Sequence, residues 1–107
     1  MNDVDTAKKV ITDVLKENNF KAEKIILFGS RAQGRFTKDS DWDFYIIVDK
    51  EMDFPQKRKI ITQMKRKLAE LKIPNDIIIQ PNSIVNERKN DVGYLTYYVL
   101  KEGVEIK

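Results

Sequence analysis

The feature that most constrains this chain is a pair of short β-favouring runs broken by a glycine turn. Lys24–Phe28 (KIILF) ends directly on Gly29, and Asp41–Val48 (DWDFYIIV) resumes after residues 29–40. Apolar runs this short, bounded by Gly, Ser and Asp, read as buried strands. Helical spacing surrounds them. Residues 5–18 place Val10, Ile11, Val14 and Leu15 on one face. Pro55–Leu71 repeats Ile60, Ile61, Met64, Leu68 and Leu71, with Pro55 suited to a first turn. Ile73–Ile79 (IPNDIII) reads as a third strand, with Pro74 at its start or on an edge. Tyr94–Glu102 reads as a last helix closed by Gly103, followed by a terminal strand over Val104–Ile106. A short helix is expected just after Gly29. The order predicts one α/β (α+β) domain over residues 1–107, a small mixed β-sheet with helices packed on it.

Composition removes whole classes of chemistry. The chain has no cysteine and no histidine. Disulfide scaffolds, Cys or His zinc sites, Cys nucleophiles and Ser-His-Asp mechanisms are therefore excluded. Acid–base work must rest on carboxylates, lysine, tyrosine or water. Hydrophobic residues make up 41% of the 107, enough for one modest core. The net charge of +3 suits an anionic ligand but does not by itself indicate nucleic acid. The longest apolar runs, such as Ile77-Ile78-Ile79, fall far short of the roughly 20 residues of a membrane span. The acidic start, Met1-Asn2-Asp3-Val4-Asp5, lacks a signal-peptide core, so a cytoplasmic protein is expected.

The candidate chemistry lies around the glycine turn. A strand breaking at Gly29 into a helix start would expose backbone N–H groups that attract phosphate, and Ser30 would add a hydroxyl. On the residues alone, Ser30 reads equally as a helix N-cap. Gly29-x-x-x-x-Gly34 has P-loop spacing, but Arg35 and Phe36 stand where Lys and Ser/Thr are required. Asp41 and Asp43, two apart on a strand, would share one face and repel unless a cation lay between them. Oxygen ligands of that kind suit a hard divalent ion. The alternative is a solvated turn with the strand starting at Phe44. Asp76, at the head of the third strand, reads as a further carboxylate or as a turn residue.

The combination Leu27-Phe28-Gly29-Ser30-Arg31-Ala32-x-Gly34, then Ser40-Asp41-x-Asp43-Phe44, resembles the polymerase-beta-type nucleotidyltransferase superfamily, in its minimal single-domain branch. Asp76 and the ending Leu100-Lys101-Glu102-Gly103-Val104 fit the same resemblance. It implies that Gly29 and Ser30 hold the β- and γ-phosphates of a nucleoside triphosphate, with ATP expected. It implies that Asp41 and Asp43 bind one or two Mg²⁺ ions. Asp76 would bind the second and help take the proton from an attacking hydroxyl. It further implies an enzyme transferring AMP to a hydroxyl of a cognate helical RNase toxin, in a toxin–antitoxin pair. Two alternatives stand beside it: an antitoxin that masks its partner with little catalysis, and transfer to a small aminoglycoside-like molecule. Primer-dependent polymerisation is not expected, because 107 residues leave no room for an acceptor-binding domain.

Other features read more plainly. Lys57, Arg58, Lys59, Lys65, Arg66, Lys67 and Lys72 form a solvated face, or a patch for an acidic partner or RNA. Tyr94, Tyr97 and Tyr98 read as half-buried core or partner anchors. Either Arg31 or Arg35 could reach phosphate.

Overall fold

The computed structural model describes residues 2–107. Helix α1 (Asp3–Glu17) begins at Asn2, whose side chain accepts from the Asp5 N–H at 2.8 Å. Strands β1 (Ala22–Phe28) and β2 (Trp42–Val48) follow. Helix α2 (Phe54–Glu70) is capped by Asp53, which accepts from the Gln56 N–H at 2.8 Å, and Pro55 lies in its first turn. Both caps satisfy backbone donors that a helix start leaves free. Strand β3 (Asn75–Pro81), helices α3 (Asn82–Arg88) and α4 (Leu95–Glu102), and the two-residue strand β4 (Val104–Glu105) complete the order.

The sheet order is β3-β2-β1-β4. β1 runs antiparallel to both β2 and β4, and β2 runs parallel to β3. The mixed sheet with flanking helices agrees with the expected fold class. Its two faces carry separate cores. One joins Ile11, Val14 and Leu15 of α1 and Ile60, Met64 and Leu68 of α2 to Leu27, Phe44, Ile46 and Ile79. Burying each of these larger side chains is worth about 1.5–3 kcal/mol. The other face joins Ile26, Tyr45 and Ile47 to Val85 of α3 and Val99 of α4. Alternation breaks down after Asp43 because Phe44–Val48 is covered on both sides.

Several expectations need correction or refinement. No helix forms after Gly29; residues 30–34 are a turn. The third strand starts at Asn75, while Ile73 drops into the core and the Pro74 carbonyl accepts from Trp42 N–H at 2.8 Å. Helix α3 adds an element that the apolar spacing does not announce. Gly103 does close α4, yet its φ of −73° is ordinary. Glycine is required there for space, since a Cβ would stand 2.5 Å from both Ile26 Cγ2 and the Val99 carbonyl. The basic face of α2 is not wholly solvated either. Lys57 donates to Gln80 at 3.3 Å, and burial, then the nearby Arg88, lowers its pKa. No helix among the described residues is long and apolar enough to cross a membrane.

Candidate active site

The glycine turn closes on itself. Gln33 N–H donates to the carbonyls of Gly29 at 3.3 Å and Ser30 at 3.2 Å, and Arg35 N–H donates to Ser30 O at 3.0 Å. Gly29 and Gly34 adopt φ of +76° and +74°, which the chain needs to bend this tightly. With no helix, Ser30 has nothing to cap. The N–H groups of Ser30, Arg31 and Ala32 have no protein acceptor among the described residues and stand as free donors at the end of β1.

Gly29 has a second reason to lack a side chain. A Cβ there would fall 2.1 Å from Oδ2 of Asp43. The Asp43 carboxylate therefore lies directly against the turn. This follows from pairing, because Phe28, the residue before Gly29, is the β1 partner of Asp43 on β2. On the other side of β2, Asp43 is in parallel register with Asp76 on β3. Residues in register on adjacent strands point to the same face. That face is the one covered further along by Tyr45, Ile47 and Ile78 with α3 and α4.

Asp41 lies just before β2 and is exposed, rather than inside the strand as expected. Its charge still reaches Asp43. The Asp43 carboxyl is held above its ordinary range by burial first, then by Asp76 and by Asp41. Asp76 is partly compensated by Lys65, 3.5 Å away on α2. As the side chains are placed, no three carboxylates among the described residues stand close enough to enclose a metal ion. The donor set nevertheless suits a hard divalent cation. It is all oxygen, its members repel one another, and the missing side chain of Gly29 lets the turn's backbone stand against Asp43.

Arg31 is the residue whose role the sequence left open. Its Nε donates to Ser40 O at 3.0 Å, and its Nη2 donates to the carbonyls of Thr37 at 3.3 Å and Lys38 at 3.2 Å. Its guanidinium also stacks over Trp42 at 4.2 Å and Phe36 at 4.8 Å. Planar stacking with several donors is a role that lysine cannot fill. Arg31 thus ties the 37–40 loop to the turn and sets where the chain enters Asp41. Arg35 is engaged with Gln33.

The chain is similar to known proteins in sequence and in fold. The family model described as polymerase beta, nucleotidyltransferase matches residues 9–107. A candidate protein adenylyltransferase of Methanocaldococcus jannaschii, MJ0141, is 36% identical over 74 residues, covering 69% of this chain and 68% of its own. A second from the same organism, MJ0604, is 27% identical over 90 residues, covering 84% and 85%. Among solved structures, a toxin–antitoxin crystal structure with AMP-PNP aligns with TM-score 0.55 at 19% identity, covering 92% of this chain and 70% of that one. A mutant toxin–antitoxin MntA–HpeT structure aligns with TM-score 0.59, also at 19% identity, covering 98% and 72%. At that identity the likeness is one of fold.

Proposed function

Because this chain belongs to the polymerase beta nucleotidyltransferase family, we propose that it transfers AMP from ATP to a hydroxyl of a partner protein, with Mg²⁺ held by Asp41, Asp43 and Asp76. The observation that carries this reading is the contact of Asp43 with the glycine turn, with Asp76 in register beside it. The free N–H groups of residues 30–32 and the Ser30 hydroxyl donate to the β- and γ-phosphate oxygens. Mg²⁺, when bound at the carboxylates, neutralises the triphosphate and the leaving pyrophosphate. The acceptor oxygen attacks the α-phosphorus, pyrophosphate departs, and Asp76 accepts the hydroxyl proton. The side chain of Asp76 is 57% exposed, so it can turn from Lys65 toward the Asp41/Asp43 pair.

The proposed acceptor is a hydroxyl on a cognate helical toxin. The protein adenylyltransferase names of the relatives and the toxin–antitoxin assemblies of the structural neighbours support that choice. The test is the intact mass of a co-expressed partner incubated with this protein, ATP and Mg²⁺. Gain of AMP units with the unaltered chain and none with Asp43→Asn is expected. A partner that stays unmodified yet is silenced equally by Asp43→Asn would replace transfer by masking.

A further inference from the structure

A narrow cleft of about 190 Å³ lies between the glycine turn and α4. Gly29, the residue against Asp43, also lines this cleft. Resting on the function proposed above, we infer that this cleft holds the nucleobase of the triphosphate, stacked on Tyr98 and hydrogen-bonded along one edge by Gln33 and Glu102.

The shape comes first. Sites for drug-sized molecules enclose roughly 300–1,000 Å³, so this cleft suits one ring system and not a whole nucleotide. Continuity through Gly29 lets the phosphates lie on the turn while the base enters beside it. The walls are apolar. Phe28 of β1 and the buried Val99 of α4 line the cleft, as do Leu95 and Tyr98, 48% and 46% exposed. Tyr98 is braced edge-on by Tyr97, with ring centroids 5.1 Å apart. A braced, half-exposed aromatic ring is a stacking platform for a base.

The polar groups then hold the edge of the base. Arg35 Nη2 donates to the Gln33 carbonyl oxygen, which fixes the amide with its NH₂ toward α4. That NH₂ donates to Glu102 Oε2 at 3.4 Å. One amide hydrogen and the second carboxylate oxygen remain, a donor beside an acceptor. The Watson–Crick edge of a base offers the complement, an acceptor beside a donor: the ring nitrogen beside the amino group of adenine, or the carbonyl beside the ring N–H of guanine.

The experiment is calorimetric titration of the full chain in Mg²⁺ with ATP and inorganic tripolyphosphate. Tripolyphosphate probes the turn and carboxylates without a base. ATP should bind at least about 10-fold more tightly than tripolyphosphate, within the span that stacking of one base contributes. Tyr98→Ala should weaken ATP about 10–100-fold, the span of base stacking, and leave tripolyphosphate unchanged. Tyr98→Phe should restore ATP binding, and Glu102→Gln should weaken ATP while leaving tripolyphosphate unchanged. Both tyrosine variants change an exposed residue and keep the fold. Tripolyphosphate binding as tightly as ATP, or Tyr98→Ala without effect on ATP, overturns the base cleft and spares the proposed function. Failure of ATP and tripolyphosphate alike to bind overturns the active-site reading and this inference with it.

Discussion

Replacing Asp43 by Asn should stabilise the metal-free protein at neutral pH while abolishing transfer. Asp43 accepts no protein hydrogen bond among the described residues, so the substitution leaves no partner unsatisfied. What it removes is a charge held partly out of water and repelled by Asp76 and Asp41. Asp43 and Asp76 are register partners on adjacent strands, which stand about 4.8 Å apart. Two unit charges about 5 Å apart repel by about 0.8 kcal/mol in water and about 3 kcal/mol at an effective dielectric of 20. The site is open and Lys65 partly compensates Asp76, so the low end applies, about 1 kcal/mol. For a domain of this size that is about 4 °C in melting temperature. The pH dependence has a definite sign. The folded-state carboxyl titrates above its ordinary 3.8, so the folded protein binds more protons than the unfolded chain in the window just above that value. Stability is therefore lost as pH rises through the folded pKa, and the cost is fully present at pH 7. The advantage of Asp43→Asn should be largest near pH 7 and fade as pH falls toward the carboxylate range. Thermal melts followed by circular dichroism, in excess chelator from pH 7 to pH 4.5, measure it. Added Mg²⁺ should raise the melting temperature of the unaltered chain only. A variant that melts lower at pH 7 in chelator would refute the repulsion argument and make Asp43 a structural residue.

Three further outcomes follow from single contacts. Gly29→Ala should lose about 1–3 kcal/mol, because it forces a left-handed residue and drives a methyl group into the Asp43 carboxylate; urea denaturation at fixed pH reads the loss, and a silent variant would mean the turn relaxes freely. Arg31→Lys should lower the transfer rate by releasing the 37–40 loop, with tripolyphosphate affinity nearly unchanged; equal loss of both would make Arg31 a phosphate ligand. Asp76→Asn should spare triphosphate binding but reduce transfer about 10²–10⁴-fold, as loss of a positioned proton acceptor does, with little change in KM for ATP; a near-normal rate would leave Asp76 a strand-start residue.

Local pattern carried a large part of this protein. The run KIILF ending on glycine, the Asp41-x-Asp43 pair and the helical stripes of α1 and α2 are short-range signals. Each strand and long helix read from them is present within a few residues. The failures share a cause. The glycine turn was read as a helix start because its residues permit one. Arg31 holds the 37–40 carbonyls and stacks on Trp42, and that contact pins the loop after the turn. Helix α3 buries only Val85, so it has no apolar stripe to show its period. It exists because the chain leaving β3 must cross the face that Tyr45 and Ile47 would otherwise expose.

The site divides along the same line. Sequence alone named Gly29, Ser30, Asp41, Asp43 and Asp76 as candidates, because their types and spacing are read along the chain. It could not place Asp76 beside Asp43. That pairing depends on the register of β3 against β2 across the intervening α2, and a slip of one residue would turn Asp76 to the other face. Nor could it show that Gly29 is empty for the sake of the Asp43 carboxylate, or that Gln33 and Glu102 meet across 69 positions of chain. Such contacts are made by packing both faces of one sheet, and packing is a property of the folded chain as a whole.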